Sequence, residues 1–281
     1  TVSKGSRGVL MGIAGSIAGS MTLLLGLLLN FSRSTDTARD DMILTSLLLV
    51  AAGFWMLALL MFRIIAEPAA ETSKPGDSSS LQDTWEQLTR NRELQRFVIA
   101  RTLLLATALA PPFYVMLAQA RLSSGAAGLG TLIIASGLAS SLSSVVWGKL
   151  GDRSSRLVMI IAAVMAGVIS LLHYTLHQTQ LLWTGSATFH AAMYFLLIIS
   201  HSGIRMGRKV YLVDMATEEN RARYVAISNT VIGIAILLSG SLGLVAETLG
   251  VEEMILVLGI LSMGAAMYCS TLPEVSKQKL R

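Results

Sequence analysis

Eight long apolar stretches constrain this chain more than any other feature of its sequence. Each is close to the roughly 20 residues that a helix needs to cross the hydrocarbon core of a bilayer. None shows the apolar–polar alternation of membrane β-strands. Only 14% of the 281 residues are charged, against about 25% in a typical soluble domain. We therefore predict an all-α membrane protein with eight transmembrane helices. The predicted spans are 9–30, 42–65, 97–119, 126–147, 157–176, 182–204, 224–249 and 254–271.

The basic residues predict the orientation of these helices. With the N-terminus in the cytoplasm, all but three of the 22 Lys and Arg residues fall in cytoplasmic segments, the exceptions being Arg33, Arg39 and Arg121. This alternation from loop to loop follows the positive-inside rule. It explains the net charge of +5 through anionic lipid, without nucleic acid. We predict an integral protein of a bacterial inner membrane, with both termini and segment 66–96 in the cytoplasm.

Few residues are available for cofactor chemistry. Cys269 is the single cysteine, so an internal disulfide and a cysteine-based metal cluster are excluded. The four histidines show no metal-ligand spacing, and no phosphate-binding G-x-x-x-x-G-K-[ST] loop is present. We therefore predict no metal, no cofactor and no direct use of ATP.

The segment after the fourth apolar stretch, Gly148–Arg156, reads GKLGDRSSR. It resembles the G-x-L-[GA]-D-R-x-G-R signature of the major facilitator superfamily. In that family the signature joins helices 2 and 3 and, in a weaker second copy, helices 8 and 9. The match departs at Ser155, where the family prefers glycine, as the second copy often does. The segment also lies on the side predicted to be cytoplasmic.

The resemblance implies a helical bundle of twelve helices, of which this chain would hold helices 5–12. Residues 1–65 would then be the last two helices of the N-terminal half. Residues 66–96 would be the central cytoplasmic loop, with an amphipathic helix in its second part. Residues 97–281 would be the C-terminal six-helix half. Because the chain starts with Thr, we expect helices 1–4 to be absent from it, and the full-length protein to be a monomer.

The sixth span carries His190, Tyr194 and His201 on one helical face. The resemblance implies that this span lines a central cavity, and histidine is costly against lipid. We therefore take the three residues as candidates for the cavity, with packing inside the protein as the alternative. We expect His173 and His177 to lie solvated in an outer loop.

The third span contains two adjacent prolines, Pro111 and Pro112. They remove two backbone donors, so we predict a kink or break. The resemblance implies that this span lines the cavity and gates its outer side, with a static kink as the alternative. Tyr114 follows them and is a further cavity candidate. Arg101, nearer the cytoplasmic end, is another, unless it extends to lipid phosphate.

The signature segment predicts a latch between helices. We expect Asp152 beside the start of the first span, around Arg7–Leu10, where free amides and the helix dipole favour an anion. We expect Arg153 or Arg156 to approach Asp214 at the end of the sixth span. Gly148 belongs to the same segment. Such a cluster would close the cytoplasmic side in one state only.

The resemblance implies a secondary transporter that moves a small solute by alternating access, not an enzyme. Residues Gly15–Ser20 are similar to the G-P-x-x-G-G element of the family's antiporters, which favours proton-coupled export. No Asp or Glu lies in the middle of any span, so a carboxylate proton carrier would have to lie in the missing helices. Within this chain the candidate is His190, whose imidazole has an unperturbed pKa of about 6.5. The alternatives are a membrane-embedded transferase and a transporter-like scaffold or sensor that moves no solute.

Overall fold

The computed structural model describes residues 6–31, 37–64, 86, 88–121 and 125–276. Every regular element in those ranges is a helix. The α-helices are α1 (Arg7–Phe31), α2 (Thr37–Ile64), α3 (Arg92–Leu103), α4 (Leu105–Arg121), α5 (Gly125–Arg153), α6 (Ser155–Gln178), α7 (Ala187–Met215), α8 (Arg221–Ser239), α9 (Leu242–Leu249) and α10 (Val251–Ser270). A 3₁₀ turn, Leu182–Gly185, precedes α7. The predicted all-α membrane fold is confirmed.

Among the residues that the structure describes, helices long and apolar enough to cross a membrane coincide with seven of the eight predicted spans. The sixth predicted span, in α7, is not among them. It has the length, since 29 residues of helix rise about 43 Å. His190, His201 and Arg205 lower its hydropathy, and most of their neighbours are buried inside the protein.

Helix α1 packs on α5 from one end to the other. Small residues at the contact allow the two backbones to meet. A Cβ atom on Gly12 would lie 2.6 Å from the backbone oxygen of Ser144, and one on Gly19 would overlap the backbone of Ser141. The hydroxyl of Ser16 donates to the backbone oxygen of Ser141 at 2.6 Å. We call this contact the seam.

The remaining helices form a bundle around two apolar clusters. Helix α6 packs between α7 and α10, and α4 packs on α7 and α10. One cluster lies at the end that carries the start of α1, and it includes the stacked rings of Phe97 and Tyr211, 5.3 Å apart. The other lies towards the opposite end, around Phe113 and Met254.

Helix α2 stands apart from this bundle. None of the residues in its span 45–64 is buried, and Trp55 is 78% exposed. A helix that is apolar on every side and uncovered by protein is suited to a lipid environment.

Two predicted features of the backbone differ from the structure. Helix α4 continues through Pro111 and Pro112, and the interruption lies upstream, at Leu104 between α3 and α4. The prolines remove the amide donors to the carbonyls of Thr107 and Ala108, about one turn beyond Leu104, so they do not account for the interruption there. The hydroxyl of Thr107 donates to the backbone oxygen of Leu104 at 2.9 Å. The seventh predicted span is also interrupted, between α8 and α9.

The predicted amphipathic helix within 66–96 falls largely outside the described residues. Residues 88–90 are helical, and Asn91 then caps α3 through its side chain.

Candidate functional site

A carboxylate binds the start of α1 at one end of the seam. Asp152 accepts hydrogen bonds from the backbone amides of Gly8 at 2.7 Å and Val9 at 3.0 Å. The first amides of a helix have no partner within it, and they carry the positive end of its dipole. Asp152 lies in the last turn of α5, where the dipole of its own helix disfavours a negative charge. The carboxylate lies where the sequence predicts it.

Two glycines allow this approach. A Cβ atom on Gly8 would lie 2.9 Å from a carboxylate oxygen of Asp152, and one on Gly148 would overlap the backbone oxygen of Gly8. Gly148, from the signature segment, therefore has a steric role at the seam. The two helices cannot meet at this height with any side chain at these positions.

A second charged contact joins α1 to α7. Arg7 approaches the carboxylate of Asp214 at 3.8 Å, and the two side chains are 21% and 11% exposed. The prediction that Arg153 or Arg156 would approach Asp214 is wrong. Instead, the start of α1 places Arg7 beside that carboxylate. We call the end of the molecule that holds Asp152, Arg7 and Asp214 the basic end.

Arg156 instead holds the segment that follows α10. Its guanidinium donates to the backbone oxygen of Leu272 at 2.8 Å and lies 3.7 Å from Glu274. Ser154 donates to the same carboxylate at 2.5 Å. Arg153 is exposed and makes no hydrogen bond or ion pair among the described residues. The sequence pattern did not indicate Arg7 as the partner of Asp214, or Glu274 as the partner of Arg156.

Three histidines lie together at the opposite end, which we call the histidine end. The ring of His173 lies 5.6 Å from that of His190 and 6.4 Å from that of His177, measured between ring centres. All three are buried. The expectation that His173 and His177 are solvated is wrong, because α6 continues to Gln178 and keeps both on its inner face.

The surroundings of this histidine cluster are partly apolar and partly charged. The ring of Tyr114 lies 4.6 Å from that of His173, and its hydroxyl donates to Ser170 at 3.2 Å. Neither ring nitrogen of His173 has a hydrogen-bond partner among the described residues. His177 lies 2.7 Å from a carboxylate oxygen of Glu252, on α10. The cluster thus joins α4, α6, α7 and α10.

A cavity of about 450 Å³ opens beside this cluster. His177 and Glu252 line it, together with residues of the segment that leads to α7, namely Gln178, Gln180, Leu181, Leu182, Thr184 and Gly185. Within the described part of the chain, no three His, Cys, Asp or Glu side chains are arranged to hold a metal ion. The cavity is suited to a polar ligand or to water.

The candidates on α7 lie at different depths. His190 is 1% exposed and enclosed between α6 and α7, so its ring faces neither lipid nor an open cavity in this structure. Tyr194 is half-buried against the second apolar cluster. His201 is half-buried towards the basic end. The three residues predicted to share one helical face therefore lie at different heights along the bundle.

Arg101 is held by hydrogen bonds to the neighbouring helix α8. Its guanidinium donates to the hydroxyl of Ser228 at 2.5 Å and to the side-chain oxygen of Asn229 at 2.9 Å, both on α8. It does not extend to the helix end as an arginine reaching for lipid phosphate would.

Comparison with known proteins matches this architecture to one family. The model of the Major Facilitator Superfamily matches residues 97–280. The chain belongs to the major facilitator superfamily. No curated protein and no solved structure matches it.

The signature segment and both ends of the bundle therefore belong to a protein of a known membrane family. Major facilitator proteins are secondary transporters that work within lipid. The chain is therefore an integral membrane protein of the transporter class. The match begins within α3, extends past the end of α10 and excludes α1 and α2, so the partner of Asp152 across the seam lies outside the matched region.

Proposed function

We propose that this major facilitator protein moves a small solute across the membrane by alternating access. The observation that carries the proposal is the hydrogen bonding of Asp152 to the start of α1. This contact, with the Arg7–Asp214 pair, ties α1 to α5 and α7 at the basic end. Opening of that end would break both contacts, so together they form a latch. The seam between α1 and α5 would be the surface on which two half-bundles rock.

The proposed halves are residues 1–65 and 97–281, joined by the loop 66–96. Their orientation rests on the distribution of basic residues, which favours the basic end and both termini in the cytoplasm of a bacterial inner membrane. The full-length protein would act as a monomer and would not be an enzyme.

The histidine cluster is proposed as the outer closure within the half 97–281, and its opening as the step coupled to protons. His173 and His190 face each other from α6 and α7, with His177 beside them. Tyr114 approaches from α4 and Glu252 from α10. A proton on His173 would place a charge inside a packed cluster, which costs free energy unless the cluster opens. Acidification from neutral pH would therefore favour an open outer end. This supports proton-coupled export.

Solute exchange by the full-length protein in proteoliposomes tests the function. The vesicles would be loaded in turn with a sugar, an amino acid, a nucleoside, a monocarboxylate or inorganic phosphate, and labelled solute would be added outside. We expect exchange of at least one of these solutes. Ser20 and Ser141, whose hydroxyl oxygens lie 2.9 Å apart across the seam, would be replaced by cysteines in a Cys269→Ala background.

A disulfide between these cysteines should stop the exchange, and reduction should restore it. Each single cysteine variant is the control, since it cannot form the bond. A membrane-embedded transferase would instead convert one of the solutes chemically. A scaffold or sensor would neither exchange nor convert any of them.

A further inference from the structure

Three arginines from two helices lie together in the half of the bundle nearer the basic end. Arg101 belongs to α3, and Arg205 and Arg208 belong to α7. The stacked rings of Phe97 and Tyr211, 5.3 Å apart, join α3 to α7, and Arg101 and Arg208 each lie about one turn of helix further from the basic end. On α7 the spacing of four and three residues places His201 and the two arginines on one face. We call these four residues the arginine cluster.

The cluster lies inside the span and below the headgroup level. Arg101 follows the start of α3 by nine residues, which is about 14 Å of helix. Arg208 precedes the end of α7 by seven residues, or about 10 Å. Asn229, which accepts from Arg101, follows the start of α8 by eight residues, or about 12 Å. The three helices thus bring these side chains to nearly the same depth.

No ion pair joins a carboxylate to these arginines among the described residues. The sequence has no Asp or Glu in 94–121, 187–213 or 222–246, which cover the cluster and its neighbours on α8. Three carboxylates near the basic end have other partners. Asp152 binds the start of α1, Asp214 approaches Arg7, and Glu274 approaches Arg156. Arg101 meets only neutral acceptors among the described residues.

The cluster also contains buried nitrogen atoms that make no hydrogen bond to the described residues. The Nε atom of Arg101 and the Nδ1 atom of His201 are buried and have no hydrogen-bond partner in the part of the chain that the structure describes. Buried polar atoms are nearly always bonded in native proteins. Arg205 and Asn229 are exposed, so the cluster is open to a ligand on one side.

We infer that the arginine cluster binds an anionic group, a phosphate or a carboxylate, on the transported solute. The inference rests on the proposed transport function. Guanidinium groups bind these planar or tetrahedral oxyanions through two parallel hydrogen bonds. A lipid headgroup phosphate offers the same chemistry, so the experiment must separate the two sources.

Protection of a nearby cysteine by inorganic phosphate tests the inference without transport. Ala226 is exposed and lies one turn from Asn229 on α8. The Ala226→Cys variant, in a Cys269→Ala background, would be reconstituted in neutral phosphatidylcholine vesicles and labelled with an anionic methanethiosulfonate. We expect phosphate to slow labelling in a saturable way, by about tenfold, which corresponds to a free-energy difference of about 1.4 kcal/mol. Chloride at the same ionic strength should not slow labelling, because it screens charge to the same extent without binding the cluster.

Charge-removing variants make the test specific to the cluster. Protection should be lost in Arg208→Gln and, separately, in Arg101→Gln, so a folding defect in either leaves the other as a test. It should remain in Lys209→Gln, which removes an exposed charge next to Arg208 in sequence. Absence of protection in the parent variant, or protection that survives both arginine changes, would overturn the inference.

Vesicles that contain anionic phosphatidylglycerol separate the two sources. If they slow labelling by themselves and phosphate adds nothing, the cluster binds a headgroup and the inference about the solute is wrong. If phosphate still protects, the solute reading holds. Because labelling needs no transport, failure here would leave the seam and latch experiments unaffected.

Discussion

The latch predicts a specific effect of Asp152→Asn. The carboxylate accepts from two amides, at 2.7 and 3.0 Å, across the seam. An asparagine keeps one acceptor oxygen but must turn its N–H₂ group towards the second amide. Hydrogen bonds to a charged group contribute about 1.5–3 kcal/mol, and a charge at a helix start adds about 0.3–1 kcal/mol. We therefore expect the closed basic end to lose about 2–3 kcal/mol, which raises the ratio of open to closed molecules about 30- to 150-fold.

Cysteine labelling measures that ratio. Ser144 faces α1 and is 3% exposed, so a Ser144→Cys variant reacts only when the seam separates at that height. Cys269→Ala provides the background, because Cys269 is the single native cysteine. Labelling should accelerate in Asp152→Asn until most molecules are open. The matched control is Glu219→Gln, which removes an exposed charge near the same end. An unchanged rate in Asp152→Asn, or an equal rise in the control, would refute the latch.

Three further predictions follow from the packing at the two ends. Gly148→Ala should lower the thermal stability of the purified protein by about 1–3 kcal/mol through overpacking at the seam, whereas Gly53→Ala, with nothing within 4 Å, should not; equal shifts would contradict the close approach. Arg156→Gln should cost about 1–2 kcal/mol and expose the segment after α10 to protease, whereas Arg153→Gln should do neither. His173→Gln should flatten the acid-induced opening of the histidine end, seen as labelling of a cysteine in its cavity between pH 5 and 8; an unaltered pH profile would remove this residue from the coupling.

Much of the fold could be predicted because the bilayer imposes it. A span of about 20 apolar residues must be helical, so hydropathy locates α1, α2, α5 and α6 directly. Hydropathy does not locate an interruption within a span. The turn at Leu104 and the separation of α8 from α9 depend on which carbonyls lose or keep their donors, and that is a property of the packed structure.

The candidate site was predictable only where one helix end dictates the partner. Asp152 meets the start of α1 because free amides attract a carboxylate in any arrangement that brings α5 beside α1. Asp214, by contrast, had several basic residues within plausible reach, and only the packing selects Arg7. The position of His173 and His177 was detectable, since His173 lies within the predicted span 157–176 and His177 follows it by four residues on the helical face that carries Ser170. Extending that span to residue 178 predicts a polar stripe that faces inwards.

The central claim is that the seam opens at one end at a time, and two distances test it most directly. Spin labels at exposed positions avoid the contact itself: Leu10 and Val146 report on the basic end, and Leu28 and Leu138 on the histidine end. Each pair would be measured by pulsed electron resonance in lipid, with and without Asp152→Asn. The account predicts that Asp152→Asn lengthens the first distance while the second stays short. Two distances that never change, or that lengthen together, would contradict it.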